Sequence, residues 1–180
     1  NKIRKELDQS ITKEALTMID KNKKSTVVFS DKWHKGVVGI VASRLIESHY
    51  KPTIVLAESD GVLTGSARSV HDFDLYEAIL KCSHLCEKFG GHKYAAGLSI
   101  KKENLDLFIE AFEIAVHEAI TEDQLYPKVE VDMQIDINDI DHKLFRIMKQ
   151  FSPFGPLNSS PVFITNGLKD NGYGKKIGVD

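Results

Sequence analysis

The chain has little cysteine, no long apolar run and almost no net charge. Only two of its 180 residues, Cys82 and Cys86, are cysteines, too few for the disulfide framework of a small secreted domain. No apolar run approaches the ~20 residues of a membrane-spanning helix, and the first residues do not resemble a signal peptide. We therefore expect a cytoplasmic protein without membrane contact. Because the chain starts at Asn1, we also expect a piece of a longer protein.

The net charge of −2 conceals an uneven distribution of charge. Residues 102–142 carry 12 acidic and two basic side chains, whereas residues 143–180 carry six basic and two acidic ones. The acidic block is typical of a solvated surface. A near-neutral total is not that of a strong, non-specific nucleic-acid binder, but it leaves room for a local cationic site.

The two cysteines do not predict a metal centre. They are four residues apart in a segment with helical periodicity, so a helix would place both on one face. A structural zinc ion needs about four ligands, and on that helix His84 would point away from Cys82. We expect both cysteines to be small apolar side chains, and we expect this chain to bind no metal ion or other cofactor.

Apolar periodicity predicts an α/β fold. Residues 1–24 have the spacing of an amphipathic helix that connects to the domain after it. Residues 25–124 follow the order β-α-β-β-α-β-α, which predicts a layered domain with a mixed sheet. Within it, Asp74 is expected to cap a helix that runs to Phe89 and ends at Gly90-Gly91.

Residues 125–180 are expected to form the N-terminal part of a second, β-rich domain. Pro127 marks the boundary, and apolar residues alternate with polar ones over 129–135, the pattern of a half-buried strand. A short helix over 143–150 and a strand over 161–165 follow. The second domain is therefore predicted to be truncated.

Three clusters could bind an anion. Gly90-Gly91-His92 offers backbone N–H groups without an obstructing Cβ, although the same residues also suit a helix C-cap and the start of a strand. Trp33-His34-Lys35-Gly36 precedes a buried helix, whose N-terminus attracts phosphate, but ordinary capping with Trp33 as a packing anchor is equally consistent. In Ser66-Ala67-Arg68-Ser69 the arginine matches phosphate oxygens, or else forms an exposed ion pair.

These clusters, in this order, resemble the DHHA1 domain of the DHH phosphoesterase superfamily. The resemblance lies in residues 33–44, in Gly65–Ser69, and in Phe89–His92 with Ala95-Ala96-Gly97. Residues 151–163, which contain the Phe151-Ser152-Pro153-Phe154-Gly155 loop, are similar to the loop that opens the oligonucleotide-binding (OB) barrel of RecJ-family exonucleases. Within the superfamily the chain resembles that family, which degrades single-stranded DNA from 5′ to 3′ in repair and recombination.

The resemblance implies a division of labour. A DHH domain of the same protein, absent from this chain, would hold two Mn²⁺ or Mg²⁺ ions and hydrolyse the phosphodiester. This chain would be inactive alone and would grip single-stranded DNA, including its 5′ end. Arg68, Ser66 and Ser69 would hold one phosphate. Gly90, Gly91 and His92 would hold the scissile or an adjacent one, with His92 contacting the transition state and His34 a weaker candidate in the same cleft.

Two alternatives follow from the same motifs. One is the DHHA1 domain of an oligoribonuclease or small-nucleotide phosphodiesterase, which the Phe151–Gly155 segment disfavours. The other is a non-catalytic nucleic-acid-binding module, for which the glycine-rich segment is atypical.

Overall fold

The computed structural model describes residues 2–170 and 172–174. Residues 1, 171 and 175–180, which belong to the predicted first and last segments, lie outside this description. The chain divides into two compact units, one up to Pro127 and one from Lys128 onward. The first unit contains α1 (Lys2–Thr17), β1 (Thr26–Ser30), α2 (Val38–His49), β2 (Thr53–Ser59), β3 (Val62–Arg68), α3 (Leu75–Lys81), β4 (Cys86–His92), β5 (Ala95–Lys101) and α4 (Leu105–Ala119).

The five strands of the first unit form one mixed sheet in the order β1-β2-β3-β5-β4. β1 and β2 are parallel, whereas every other neighbouring pair is antiparallel. The helix α2 is the crossover that a parallel pair requires. The predicted α/β fold with a mixed sheet is confirmed.

Two apolar clusters cover the two faces of this sheet. On one face, α3 and α4 pack over β2, β3 and β5, with Phe73, Phe108 and Phe112 fully buried. On the other face, α1 and α2 pack over β1 and β2. Trp33 lies in the second cluster, is 3% exposed, and donates from Nε1 to Glu14 on α1 at 3.0 Å. It therefore acts as the packing anchor that the sequence allowed.

The expected helix from Asp74 to Phe89 is wrong in its second half. Asp74 does cap α3, since its carboxylate accepts from the backbone N–H of Glu77 at 3.1 Å. The helix ends at Lys81, however, a 3₁₀ turn follows, and residues 86–92 form β4 beside β5. Pairing with β5 decides the conformation of residues 86–92, and such pairing is not a local property of the sequence.

This correction also separates the cysteines. Cys82 is the C-cap residue of α3 and Cys86 begins β4, so they do not share a helix face. Both thiols are free, with Cys82 buried and Cys86 half-buried. Burial raises the pKa of Cys82 to about 11, and the neutral thiol behaves as an apolar side chain.

The second unit contains β6 (Met133–Gln134), α5 (His142–Gln150) and β7 (Phe163–Ile164), with β6 and β7 parallel. The expected half-buried strand over 129–135 is wrong in extent and burial, since Val129, Val131 and Met133 are exposed. Apolar side chains of α5, together with Ile135, Ile140 and Phe163 of β7, instead line an open pocket of about 180 Å³. A strand with alternating apolar and polar residues is half-buried only if another element packs on its apolar face, and the sequence pattern does not show whether one does. The helix lies where the sequence placed it, whereas the last strand, expected over 161–165, is confined to Phe163–Ile164.

Candidate phosphate-binding site

The first part of the site is the start of α2. The helix begins after Val37 without any side-chain cap. The first N–H groups of a helix have no intrahelical acceptor and carry a partial positive charge. Gly39 lies in this first turn, and a Cβ there would be 3.2 Å from Arg68 Nη2 and 3.4 Å from Ser66 Oγ. The tertiary fold thus brings Ser66 and Arg68 of β3 against the uncapped start of α2.

Arg68 and Ser66 lie on one face of β3. Along this strand Leu63, Gly65 and Ala67 are buried, whereas the alternate residues are half-buried and lie on the α2 side. Arg68 Nη1 donates to Ser66 Oγ at 2.7 Å and to the Ala67 carbonyl at 2.9 Å. Because Ser66 Oγ accepts this bond, its own hydroxyl proton remains available for an acceptor. We name Arg68, Ser66 and Gly39 the phosphate corner.

The phosphate corner concentrates positive charge without an internal counter-charge. Among the described residues, no carboxylate lies within ion-pair distance of Arg68. Arg44, by contrast, forms an ion pair with the buried carboxylate of Asp8, with 2.7 Å between Arg44 Nη1 and Asp8 Oδ1. The two groups are not aligned as in a hydrogen bond. A guanidinium beside a helix N-terminus is unfavourable by about 0.3–1 kcal/mol. An anion bound at both would remove that penalty.

The second part of the site is a row of small and basic residues on β5 and β4. In register, Ser66 pairs with Gly97, and Gly97 pairs with Gly90. Likewise Arg68 pairs with Ala95, and Ala95 pairs with His92. Antiparallel partners share a face and lie about 5 Å apart, so the Cα atoms of Arg68 and His92 are about 10 Å apart.

Lys88 belongs to the same face, because residues two apart on a strand point the same way. It is exposed, as are Gly90, His92 and Gly97. We name Lys88, Gly90, His92 and Gly97 the open strip.

The two consecutive glycines have different roles. A Cβ on Gly91, whose φ is +154°, would lie 2.2 Å from the Ala95 carbonyl oxygen, so the close approach of β5 requires glycine there. A Cβ on Gly90 would meet nothing within 4 Å, and one on Gly97 only the Gly65 carbonyl at 3.9 Å. Packing therefore explains Gly91 but not Gly90 or Gly97. At both of these positions the backbone is open to a close-approaching ligand.

His92 is oriented by its own hairpin. Its Nδ1 accepts from the backbone N–H of Tyr94 at 3.3 Å. In the neutral ring the proton therefore sits on Nε2, which can donate to an anion. The side chain is exposed, and its ring meets that of Tyr94 edge-on at 6.5 Å.

Two further predicted residues are engaged elsewhere. The hydroxyl of Ser69 donates to the Phe73 carbonyl at 2.7 Å, so its only proton closes the loop after β3. His34 is exposed, and its Nδ1 accepts from the backbone N–H of Gly36 at 3.0 Å within its own loop. Their roles in phosphate binding stay predictions, and neither belongs to the phosphate corner or the open strip.

Gly39, Lys88 and Gly97 were not singled out as site residues from the sequence. The expected helix to Phe89 concealed Lys88, since only strand alternation places it beside Gly90 and His92. Two glycines opposite each other on neighbouring strands would have been the signal for Gly97. No local pattern marks Gly39, because its neighbour Arg68 is distant in the chain.

Other kinds of site find little support in the described residues. Within residues 2–170 and 172–174, no three His, Cys, Asp or Glu side chains come together as a metal ion requires. No helix in that same part of the chain is both long and apolar enough to span a membrane.

Comparison with protein families identifies both units. The DHHA1 domain family matches residues 3–118, and the RecJ OB domain family matches residues 131–179. The predicted domain boundaries, after residues 24 and 124, stay predictions.

Individual relatives agree with the family matches. The single-stranded-DNA-specific exonuclease RecJ of Bacillus subtilis is 37% identical over 187 residues, covering 100% of this chain and 23% of that protein. RecJ of Escherichia coli is 32% identical, covering 91% of this chain and 30% of that protein. This chain therefore spans between about a quarter and a third of the length of these relatives.

Solved structures share the fold. RecJ of Thermus thermophilus in complex with Mg²⁺ has a TM-score of 0.79 and 26% identity, covering 89% of this chain and 25% of that one. The Mn²⁺ complex has a TM-score of 0.80 and 26% identity, covering 90% and 24%. The chain therefore belongs to the DHHA1 family and is homologous to the portion of the RecJ single-stranded-DNA-specific exonucleases that contains the DHHA1 region.

Proposed function

We propose that this chain holds single-stranded DNA by its phosphates within a larger exonuclease of the RecJ type. The observation that carries the proposal is the half-buried Arg68, which has no carboxylate partner in the described part of the chain and lies against an uncapped helix. Burying a charge without a partner is costly, so such a site favours an anionic ligand. The phosphodiester backbone of DNA is the anion that RecJ relatives encounter.

The phosphate corner binds one phosphate. Arg68 presents a planar group of N–H donors, Ser66 adds its hydroxyl, and the first turn of α2 adds backbone N–H groups and partial positive charge. A 5′-terminal phosphate carries more negative charge than an internal diester and gains more here. We therefore assign the 5′ end of the strand to this corner.

The open strip holds the next phosphates. Gly90 and Gly97 let the DNA backbone approach the sheet, and Lys88 supplies positive charge beside them. His92 donates from Nε2, and as an imidazolium it would stabilise charge that develops on the phosphate during hydrolysis. The role of His92 is therefore both binding and transition-state contact.

Hydrolysis itself belongs to a part of the protein outside this chain. The solved RecJ relatives contain Mg²⁺ or Mn²⁺, and two divalent ions in a DHH domain would activate the attacking water. The described residues do not fit a metal ion, so no metal-dependent step is assigned to them. This chain orients the strand and neutralises its phosphates.

The second unit extends the grip along the strand. Its match to the RecJ OB domain favours a long single-stranded substrate over a small nucleotide. Phe145, Phe151 and Phe154 are exposed there. Exposed aromatic rings on a basic segment stack nucleobases without sequence preference.

Fluorescence anisotropy with a single-stranded oligonucleotide tests the proposal. We expect the chain to bind a 5′-phosphorylated strand more tightly than a 5′-hydroxyl strand, with affinity falling as salt rises. The variant Arg68→Ala should lose the preference for the phosphate, and Arg68→Ala/His92→Ala should lose most binding. A double variant that binds as tightly as the parent would show that these residues are not the grip.

Kinetics of the intact exonuclease that carries this chain tests the role of His92. We expect His92→Ala to lower kcat more than it raises KM, because the imidazole meets charge that develops in the transition state. A pure rise in KM would assign His92 to binding alone.

A further inference from the structure

Tyr94 is an exposed aromatic side chain that the phosphate site leaves unused. It lies in the two-residue turn between β4 and β5, immediately after His92 and Lys93, and is 45% exposed. Most large apolar side chains of the first unit are buried in its two clusters. A half-exposed ring beside a phosphate-binding histidine needs another explanation.

The backbone of the turn is held from outside. Two-residue hairpin loops favour positive φ, yet neither Lys93 nor Tyr94 is among the residues with positive φ. Instead, the Tyr94 carbonyl accepts from the Ser69 N–H at 3.0 Å, and the Lys93 carbonyl accepts from the Leu75 N–H at 3.1 Å. The segment that follows β3 therefore fixes the position of the turn.

The ring of Tyr94 is also held on two sides. Lys93 Nζ lies 5.4 Å from its centroid, and the His92 ring meets it edge-on at 6.5 Å. Lys93 is in turn fixed by Asp72, with Nζ 3.2 Å from Oδ1. The hydrogen bond to Asp72 is also the main reason why the pKa of Lys93 is raised. Desolvation lowers this pKa, and Tyr94 raises it slightly further. The ring is therefore oriented by its neighbours although its surface is accessible.

We infer that Tyr94 is a stacking platform for a nucleobase of the strand whose phosphates lie on the open strip. A tyrosine has few rotatable bonds, and its neighbours have already ordered this one, so stacking costs little further entropy. Aromatic stacking accepts any base, since every base has a π face. The inference rests on the proposed function, because the phosphate grip brings the base to the ring.

Abasic oligonucleotides test the platform. The 180-residue chain is titrated with strands that lack one base at successive positions from the 5′ end. We expect one such position to weaken binding to the parent chain about 10-fold. In Tyr94→Leu the same abasic strand should bind within about twofold of the intact strand, because the lost stacking partner makes the missing base irrelevant. Tyr94→Phe keeps the ring and should restore the discrimination.

A merely structural role for Tyr94 gives a different result. If the ring only supports His92, Tyr94→Leu weakens binding of intact and abasic strands by the same factor at every position, and the inference is overturned. It is also overturned if Tyr94→Leu changes nothing. Tyr126→Leu is the matched control, since Tyr126 is an exposed tyrosine of the same unit that contacts neither part of the site.

Failure of the platform and failure of the proposed function are distinguishable. If Arg68→Ala weakens binding while Tyr94→Leu keeps full discrimination against abasic strands, only the platform is wrong. If the parent chain and Arg68→Ala bind equally, or neither binds, the proposed phosphate grip is wrong and the platform falls with it.

Discussion

One face of the five-stranded sheet has two halves of opposite character. Over β1 and β2, the α1 and α2 helices cover Val28, Val55 and Ala57. Over β5 and β4, the same face carries Gly97, Gly90 and other polar or small residues that are exposed. Both halves share one continuous ladder of backbone hydrogen bonds. The two halves therefore differ in what covers them. Helices cover the first half, and in our proposal a nucleic-acid strand covers the second.

Arg68 marks the boundary between these halves. Its guanidinium lies against Gly39 on α2, at the edge of the covered half, and its strand neighbour Ala95 begins the open one. The covered half is stabilised by apolar burial, which contributes roughly 25 cal/mol for each Å² of apolar surface removed from water. The open half has little apolar surface to bury and depends on neighbouring strands. Its small and charged residues are free to serve a ligand.

The sharpest test of the comparison is the glycine pair of β4. Gly91→Ala should lower the free energy of unfolding by roughly 3 kcal/mol, because its Cβ would overlap the β5 backbone at a positive φ. Gly90→Ala should leave stability nearly unchanged, because its Cβ enters open space, and should instead weaken DNA binding. Urea denaturation and anisotropy together distinguish the two. Equal stability losses would mean that the open strip is a packed surface.

Two arginines on either side of the boundary should behave oppositely. Arg68→Ala should weaken oligonucleotide binding about 30-fold, because a charge-assisted contact of about 2 kcal/mol is lost, with little change in stability. Arg44→Ala leaves the buried Asp8 carboxylate unpaired and should cost about 2–3 kcal/mol of stability, with affinity unchanged. Denaturation and binding curves measured on both variants show whether one loses affinity and the other stability. The comparison fails if both variants lose the same property.

Gly39→Ala should stabilise the protein and weaken its binding. Alanine favours a helix over glycine by about 0.5 kcal/mol, whereas its Cβ would press on Arg68 Nη2 at 3.2 Å. We expect a slight rise in the urea midpoint and an affinity loss of about fivefold, from the displaced guanidinium. Ser48→Ala near the other end of α2 is the control, since it also raises helix propensity and removes only an exposed hydrogen bond to the Arg44 carbonyl. An unchanged affinity in Gly39→Ala would place the bound phosphate elsewhere.

The smallest expected effect concerns Lys88. Lys88→Ala should weaken binding about twofold and reduce the slope of log K against log salt by about 0.7, as expected for one phosphate contact on a single strand. Lys102 is the matched control, because its ammonium is paired with Glu58 at 2.8 Å. Salt titrations of Lys102→Ala should show the parent slope. A lower slope in both variants would indicate a diffuse field rather than a strip.

The predicted fold agrees with the structure over most of the first unit. The β-branched runs became β1 and β2, and Asp74 caps α3 as its spacing to Glu77 indicated. The prediction failed at β4, where apolar residues from Ile79 to Phe89 fit a helical period as well as a strand. Pairing with β5 decides that segment, and pairing is not a local property.

The candidate site also contains residues that the sequence could indicate and residues that only the tertiary structure shows. Arg68, Ser66, Gly90 and His92 could be proposed as phosphate contacts because their chemistry is local. Ser69 could not be distinguished from Ser66 by sequence, since only the loop after β3 shows that its hydroxyl donates to Phe73. The contribution of Gly39 depends on an approach between α2 and β3 that no spacing along the chain encodes.

By itself, the sequence determined the layered α/β class, the choice of candidate anion-binding side chains and the family resemblance. Each of these depends on residue chemistry and on periodicity over a few turns or strands. Only the tertiary structure decided that Gly91 serves packing while Gly90 is open, and that Arg68 is left without a carboxylate in the described residues. These outcomes depend on which backbones approach each other, and that is fixed by strand register and by how far the helices extend over the sheet.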